Sequence, residues 1–286
     1  MKLPFKPDLS GKIAVVTGGG GVLCSEFACA LAASGAKVAV CDLRREAAEK
    51  VVDRIEKDGG TAIAVTANVL EKESLEKARD EIHEKLGGNI DILINGAGGN
   101  NPKGTTTHEY LTREDLENAA EGVTTFFDLD PAGIEFVFNL NFLGTLLPTQ
   151  VFAREMADSK DPVIINISSM NSFRPLTKIP AYSGAKAAVS NFTMWLAVHF
   201  APVGIRVNAI APGFFVTDQN RALLMNPDGS LTPRSEKILN HTPMRRFGET
   251  YDLLGTLLWL TDTESSGFVN GVVVPVDGGF AAYSGV

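Results

Sequence analysis

The fold is decided near the start of the chain, in residues 12–42, which read KIAVVTGGGGVLCSEFACALAASGAKVAVCD. Lys12–Thr17 and Ala36–Asp42 are apolar runs rich in β-branched residues, and Val22–Ser34 between them has the apolar spacing of a helix. Two short apolar runs on either side of a helical pattern predict a β-α-β unit with parallel strands. We therefore predict a strand, a tight glycine turn, a helix and a second strand.

The same alternation continues along the chain. Further strands are predicted at Thr61–Ala67, Ile90–Asn95, Val163–Ser168, Ile205–Ile210 and Val272–Val276, and further helices at Arg44–Lys57, Lys72–Lys85, 131–158, Ala181–Phe200 and Thr250–Leu260. Strands separated by helices form parallel sheets covered on both faces, with right-handed crossovers. The fold class predicted is therefore α/β, with a doubly wound, Rossmann-type parallel sheet. No shift in composition marks a linker, so residues 1–286 are predicted to form a single domain.

One segment breaks this pattern. Residues 98–130, after the fourth predicted strand, are rich in Asn, Thr, Gly and charged residues. An insertion of this length is too long for a routine connection, which predicts that it belongs to the functional site.

Composition limits the possible partners and surroundings. The net charge of −8 and the pI of about 5.1 disfavour nucleic acid and anionic membranes, because the global field would repel both. The N-terminus, MKLPFKPDLS, has no apolar signal-peptide core, and we predict no membrane span. Cys24, Cys29 and Cys41 form no metal-ligand pattern with the histidines, and we interpret them as reduced packing residues. We expect a soluble, cytoplasmic protein without a metal site.

The glycine turn and the end of the second strand together predict a dinucleotide site. Glycines 18–21 let a pyrophosphate approach the backbone N–H groups at the positive end of the following helix. Asp42 can accept hydrogen bonds from both ribose hydroxyls of NAD and repel the 2′-phosphate of NADP. Either feature alone also fits a structural turn or a solvated acid, but together they favour NAD, with NADP less favoured. Arg44 and Arg45 are the competing signal, since either could pair with a 2′-phosphate.

From this turn onward the chain resembles the short-chain dehydrogenase/reductase family, and the resemblance covers nearly its whole length. The shorter members carry Thr-Gly-x-x-x-Gly-x-Gly here; Thr17 and Gly18 match, whereas Val22 and Cys24 stand at the later glycine positions. Gly21 fits the spacing of the longer, epimerase-like members, again with Cys24 replacing the final glycine. That glycine allows close packing of helix on strand, so Cys24 predicts a small local displacement of the helix.

The resemblance also implies a set of cofactor contacts. Asn95-Gly96-Ala97-Gly98 resembles the family's Asn-Asn-Ala-Gly, and Asn68-Val69 stands at its adenine-contacting pair. Arg206–Gly213 with Thr217 resembles the segment that holds the nicotinamide carboxamide. The implied cofactor-binding residues are Gly18, Gly20, Gly21, Val22, Leu23, Asp42, Asn68, Val69, Asn95, Ala97, Gly98, Tyr182, Lys186, Pro212, Gly213, Val216 and Thr217.

The strongest local signal is the stretch Tyr182-Ser183-Gly184-Ala185-Lys186. On a helix, positions i and i+4 share one face, so the ammonium of Lys186 can lie beneath the phenol of Tyr182. Reduction of a ketone needs a proton donor at the carbonyl oxygen, and a phenol with a pKa of about 10 matches neutral pH poorly. We predict that this ammonium, joined by the positive ring of an oxidised nicotinamide, lowers the pKa of Tyr182.

The resemblance completes a catalytic set around this pair. The family's serine lies thirteen residues before its tyrosine, which implies Ser169, whose hydroxyl would hold the substrate oxygen. Its neighbour Ser168 is interpreted as a strand-end hydroxyl satisfied by the backbone. Asn141 begins an Asn-x-x-Gly motif, which implies that it holds water that relays protons to Lys186. The implied reaction is hydride transfer between a nicotinamide and a secondary alcohol or ketone, with Tyr182 transferring the proton.

The segments expected to wall the substrate pocket are polar and cationic. They are the insertion and the stretches after Ser169 and Gly213, and they supply Asn100, Asn101, Lys103, His108, Asn171, Arg174, Gln219, Asn220 and Arg221. A steroid or fatty-acyl pocket should be mostly apolar, so these residues favour a polyhydroxylated, anionic small molecule, although any one of them could be a solvated loop residue. We predict substrate contacts from Asn100, Lys103, Asn171 and Arg174, with Lys103 or Arg174 pairing with a carboxylate.

The stretch 96–103 and the insertion after it resemble the sugar-acid branch of the family, which includes the D-mannonate oxidoreductases, or fructuronate reductases. Gluconate dehydrogenases and 3-oxoacyl carrier-protein reductases are alternatives, and the acidity of the chain and Asp42 count against the latter, which prefer NADPH. A catalytically inactive cofactor-sensing protein on the same fold also stays open. Helices such as 134–158 and 181–200 offer apolar faces beyond what one sheet covers, which predicts a homodimer or homotetramer.

Overall fold

The computed structural model describes residues 1–117, 120–217 and 221–285. Within these residues it contains a seven-stranded sheet in the order β3-β2-β1-β4-β5-β6-β7, with every neighbouring pair parallel. The strands are β1 (Ile13–Thr17), β2 (Lys37–Asp42), β3 (Thr61–Thr66), β4 (Ile92–Asn95), β5 (Val163–Ile167), β6 (Arg206–Pro212) and β7 (Val273–Val276). This confirms the predicted doubly wound, Rossmann-type sheet.

Helices cover both faces of the sheet. They are α1 (Val22–Ala33), α2 (Arg45–Lys57), α3 (Lys72–Leu86), α4 (Arg113–Glu117), α5 (Pro131–Phe138), α6 (Gly144–Met156), α7 (Pro180–Phe200), α8 (Arg221–Leu224), α9 (Pro233–Asn240), α10 (Thr250–Thr261) and α11 (Thr263–Ser266). Side chains alternate between the faces of a strand, so Ala14 and Val16 join a core with α1, α2 and α10. Ile13 and Val15 join the opposite core with α3, α6 and α7.

The helix predicted at 131–158 is a helical run interrupted by a π-helical turn, Asn139–Leu143, between α5 and α6. It begins as the sequence indicates, because the Asp130 side chain accepts a hydrogen bond from the Ala132 N–H at 2.9 Å and Pro131 fills the first helical position.

The same run, Pro131–Met156, is long and apolar enough by length and composition to cross a membrane, which we did not anticipate from the sequence. Half of its most apolar window is buried inside the protein. Phe152 and Met156 of α6 are fully buried in the core against the sheet. The α6 part of this run is therefore a core element of the fold.

The strand order reverses between β1 and β4, which places a crevice at their carboxyl ends. Thr17 and Asn95 are paired there in register. The Thr17 hydroxyl accepts hydrogen bonds from the N–H groups of Gly96 at 3.1 Å and Ala97 at 3.4 Å, so it fixes the loop that follows β4. In open α/β sheets, ligands bind in this crevice.

The insertion after β4 contains α4 and two short 3₁₀ turns, Pro102–Gly104 and Phe126–Asp128. It is attached to the segment before α7 by the Thr106 N–H, which donates to the Lys178 carbonyl at 2.9 Å. An ion pair between Glu109 and Lys237 joins it to α9. The insertion therefore lies beside the region that follows β6, as its predicted role in the site requires.

Candidate active site

The glycine turn between β1 and α1 brings the backbone close to the β4 loop. Gly18 has φ of +63°, a region that favours glycine, and a Cβ there would lie 2.9 Å from the Ala97 backbone. The N-cap of α1, Gly21, provides no side-chain cap, so the first N–H groups of the helix keep their affinity for an anion.

Asp42 is held at the other side of the turn by two backbone groups. Its carboxylate accepts hydrogen bonds from the N–H of Gly20 at 3.1 Å and from the N–H of Arg44 at 3.0 Å. A Cβ on Gly20 would lie 2.6 Å from the Ala47 Cβ, so a basic side chain does not fit at that position without movement. The carboxylate therefore has a fixed place at the end of β2.

A cleft of about 360 Å³ runs from Asp42 to Tyr182 along the carboxyl ends of the strands. Of the predicted residues, those that line it are Gly18, Gly21, Val22, Leu23, Asp42, Ala97, Gly98, Ser169, Tyr182, Lys186, Pro212, Gly213 and Thr217. Glycines contribute backbone atoms to its lining where a side chain does not fit. A Cβ on Gly98, for example, would lie 2.7 Å from Asn141 Oδ1 and 3.2 Å from Lys186 Nζ. A cleft of this size with glycine backbone in its lining, a carboxylate at one end and a phenol at the other fits a nicotinamide dinucleotide.

Tyr182 and Lys186 lie at the inner end of this cleft. Pro180 starts α7 at its first position, and the four-residue spacing then places both side chains on one face, with Lys186 Nζ 5.7 Å from the centre of the Tyr182 ring. Nζ donates to the carbonyl of Ile167 at 2.7 Å, which ties α7 to the end of β5. Burial lowers the pKa of Lys186 to about 8.

The pKa of Tyr182 moves in the direction opposite to our prediction. Burial raises it, and a hydrogen bond from Ser169 opposes the rise. The cost of desolvating the phenolate therefore outweighs its stabilisation by the hydrogen bond from Ser169. The other part of that expectation, a lowering of this pKa by the positive nicotinamide ring, stays a prediction.

The two serines at the end of β5 have different partners. Ser169 is buried, and its Oγ accepts a long 3.3 Å hydrogen bond from the Asn171 N–H in addition to its contact with Tyr182. Ser168 Oγ donates to the Lys186 carbonyl at 3.2 Å and lies 2.7 Å from Ser190 Oγ. The geometry thus brings Ser169 to the phenol and uses Ser168 to hold α7.

Asn141 lies in the π-helical turn and is fully buried. Its Nδ2 donates to the carbonyls of Gly99 and Val137, both at 2.7 Å, and its Oδ1 accepts from the Gly99 N–H at 3.3 Å. The side-chain amide therefore fixes the Gly98–Gly99 segment between β4 and Lys186. The implied relay of protons through water stays a prediction.

Cys24 is accommodated by a second departure from the family pattern. The loop after β4 has Gly96 where the family has its second Asn, and a Cβ on Gly96 would lie 2.2 Å from Cys24 Sγ. The thiol therefore occupies the space that a side chain at position 96 would fill. Gly96 in the loop after β4 therefore allows the close packing of α1 that a glycine at position 24 would allow in the family pattern.

Several predicted cofactor residues do not line the cleft in the described part of the chain. Asn95 is buried, and its Nδ2 donates to Thr149 and to Asn166 of the adjacent strand, each at 2.9 Å. Asn68 makes a local turn in which its Nδ2 donates to Glu71, and Val69 packs in a core. Gly20 and Val216 also lie outside the lining, although Gly20 holds Asp42.

The predicted substrate residues are dispersed. Lys103 is exposed, and its Nζ lies 3.3 Å from Asp130, which caps α5, so it does not reach the cleft. Asn100 donates to Thr105 at 3.2 Å, and Asn171 is buried with an Oδ1 that has no hydrogen-bond partner in the described residues. Arg174 lines a separate cavity beside the cleft. Gln219 and Asn220 lie outside the described residues, and neither cavity is lined by Asn101 or Arg221.

Sequence reasoning missed the cations that α9 brings to that cavity. Arg234 and Lys237 line it together with Arg174. They lie far along the chain from Ser169, and the only available signal was the helical spacing of two cations in a short charged segment. That pattern is typical of any solvated helix.

Comparison with known proteins identifies the class. The family model of the short chain dehydrogenases matches residues 12–227. The chain therefore belongs to the short-chain dehydrogenase family, and it is an oxidoreductase that acts on CH–OH groups.

Individual relatives narrow the comparison. An uncharacterized oxidoreductase of Haemophilus influenzae is 59% identical over 286 residues, which cover 100% of this chain and 99% of the relative. A structure from Haemophilus influenzae, of a protein proposed to be a D-mannonate oxidoreductase with bound NAD, has a TM-score of 0.93 at 59% identity and covers 98% of each chain. A gluconate 5-dehydrogenase of Burkholderia cenocepacia, solved with NADP and tartrate, has a TM-score of 0.79 at 29% identity and covers 96% of each chain.

Proposed function

We propose that this protein is an NAD-dependent oxidoreductase that interconverts a sugar acid and its keto form, with D-mannonate and D-fructuronate as the pair. The observation that carries the proposal is the convergence of Ser169, Tyr182 and Lys186 at one end of a cleft whose other end is closed by Asp42. The similarity to the NAD-bound protein proposed to be a D-mannonate oxidoreductase supports the choice of substrate.

The residues divide the chemistry among them. A nicotinamide bound in the cleft supplies or accepts the hydride at the substrate carbon. Ser169 Oγ holds the substrate oxygen, and the Tyr182 phenol gives or takes the proton at that oxygen. Lys186 is fixed through the Ile167 carbonyl, and its ammonium stabilises the phenolate that forms during reduction.

The experiment that tests this function measures the absorbance of the nicotinamide with the purified protein. We expect oxidation of NADH with D-fructuronate and reduction of NAD with D-mannonate, with weaker activity on D-gluconate and on acyl thioesters. The Tyr182→Phe variant, prepared in the same way, shows whether a contaminant contributes. A protein that reduces acyl thioesters with NADPH and ignores sugar acids is the reductase alternative, and one that binds NADH without turnover of any hexuronate is the cofactor-sensing alternative.

Cofactor preference is a second expected result. Asp42 is held by the Gly20 and Arg44 N–H groups, so its charge cannot move away from a 2′-phosphate. We expect kcat/KM with NAD to exceed that with NADP by at least about tenfold, because repulsion of about 1.4 kcal/mol is enough for that factor. The Asp42→Ala variant should lose most of this preference, whereas Asp53→Ala, which removes an exposed acid from α2, should keep it. If the wild-type protein prefers NADPH, the assignment to Asp42 is wrong, and Arg44 is the residue expected to contact the 2′-phosphate.

The oligomeric state, the cellular location and the partners of the protein are also part of the proposal. The apolar faces expected to pair with a second copy include exposed aromatic side chains on α7, where Trp195 stacks on His199 with ring centres 4.5 Å apart and stays 55% exposed. A homodimer or homotetramer would cover them. We also propose a cytoplasmic location and a small, anionic, polyhydroxylated substrate, with no nucleic acid or membrane as partner.

A further inference from the structure

A second cavity, of about 210 Å³, adjoins the catalytic cleft. Phe214, which follows β6, lines both spaces, so the two cavities are neighbours across one side chain. The other walls come from four separate segments: the insertion at Glu109, the turn after Ser169 at Arg174, α9 at Arg234 and Lys237, and the C-terminal segment at Phe280. A substrate whose reacting carbon lies at Tyr182 could therefore place its far end in this cavity.

The walls of this cavity are positively charged in a protein that is acidic as a whole. Arg174, Arg234 and Lys237 contribute three cations, and Glu109 is the one acid among its described lining residues. The chain carries a net charge of −8. Cations concentrated at one site against this overall charge attract an anionic ligand locally, because exposed charges farther away than about 8–10 Å are screened by salt.

Two of the cations have unused hydrogen-bonding capacity. Arg174 is oriented by its Nε, which donates to the carbonyl of Ala281 at 3.1 Å, and its two Nη groups have no partner in the described residues. Arg234 makes no ion pair in the described part of the chain. Lys237 is different, because Glu109 already pairs with it. The guanidinium groups are thus the donors that a ligand would find, and guanidinium geometry matches a carboxylate.

We propose that this cavity is a carboxylate subsite in which Arg174 and Arg234 bind the acid group of the substrate, opposite the end oxidised or reduced at Tyr182. The proposal rests on the proposed function and extends it, because it assigns selection of acids over neutral sugars to residues on two segments. It replaces the expectation for Lys103, whose ammonium is occupied by Asp130. Glu109 has a defined part as well: its negative charge weakens the subsite, and its pair with Lys237 attaches the insertion to α9.

The test compares D-fructuronate with D-fructose, its uncharged counterpart, at several concentrations of each with saturating NADH. Arg174→Met and Arg234→Met should each raise KM for the acid about ten- to a hundredfold, and so lower the ratio of kcat/KM for the acid to kcat/KM for the neutral sugar. The turnover number should fall less, since the contact holds ground and transition states alike. Arg79→Met, which removes a partly exposed arginine paired with Asp80 on α3, is the matched control.

Glu109→Gln provides a change of opposite sign. It removes the acid from the cavity and leaves three cations, so KM for D-fructuronate should fall and its dependence on salt should become steeper. If both arginine variants keep the wild-type ratio of acid to neutral sugar, the subsite assignment is wrong while the proposed function stands. If the wild type itself shows no preference for the acid, the proposed substrate class is wrong. A higher KM for the acid in Glu109→Gln contradicts the electrostatic account.

Discussion

Tyr182→Phe should abolish most of the turnover while the protein still binds its cofactor. The substitution removes one oxygen, and with it the proton that must reach the substrate oxygen, but it keeps the ring that packs beside Lys186. General acid–base catalysis contributes about 10²–10⁴-fold, and we expect kcat to fall by at least that factor. Fluorescence titration with NADH, compared between wild type and variant, separates the loss of chemistry from any loss of binding.

The control for this result is Tyr251→Phe, which removes a phenol from the partly exposed start of α10, away from the cleft. That variant should keep wild-type kcat. Wild-type turnover in Tyr182→Phe would remove the phenol from the mechanism and leave Ser169 as the nearest hydroxyl to the reacting atoms.

Lys186 should leave a pH-dependent mark on the stability of the fold. Burial lowers its pKa from the ordinary 10.5 to about 8, whereas the unfolded chain keeps the ordinary value. Below about pH 8 both states hold the proton and the folded state bears the full cost of the buried charge. Between about pH 8 and 10.5 the unfolded state binds the proton more tightly, so the free energy of unfolding rises with pH. The gain is at most ~3 kcal/mol, the free energy that corresponds to this pKa shift.

Urea denaturation of wild type and Lys186→Met at about pH 7.5 and 10 measures this gain. Cys24 and Cys41, whose pKa burial raises to about 12 in the folded protein, also contribute, because their thiols ionise at lower pH in the unfolded chain. Cys41 acts alike in both proteins, whereas Cys24 interacts electrostatically with Lys186, so the difference between the two pH dependences reports on Lys186 together with its interaction with Cys24. Parallel pH dependences would show that Lys186 titrates at its ordinary pKa in the folded protein.

The sequence predicted the sheet well because its strands are buried on both faces. Such strands appear as continuous apolar runs, and each of the seven observed strands lies within two residues of its prediction. The spacing of Tyr182 and Lys186 predicted that they share one face of a helix, and they do so on α7. Ser169, which the family resemblance implied, lines the same cleft. The catalytic roles of these residues stay predictions. The π-helical turn that holds Asn141 was not predicted, since no local residue pattern distinguishes it from the α-helix around it.

The failures occurred where tertiary contacts decide the direction of a side chain. Asn95 was placed on the cofactor, but its amide turns into the sheet because Asn166 on the neighbouring strand offers an acceptor. Lys103 was predicted to contact the substrate, but its ammonium lies 3.3 Å from Asp130, the cap of α5, and Lys103 does not line the cleft. Arg234 was not considered, because nothing in its local sequence shows that α9 returns to the segment after Ser169.

The contact between Cys24 and Gly96 makes the residues at these two positions depend on each other. A side chain at position 96 would bring its Cβ to 2.2 Å from the Cys24 Sγ. Replacement of Cys24 by glycine leaves only a small void, which costs far less than this overlap. A substitution that introduces a side chain at position 96 alone is therefore opposed by a steric barrier, which a glycine at position 24 removes.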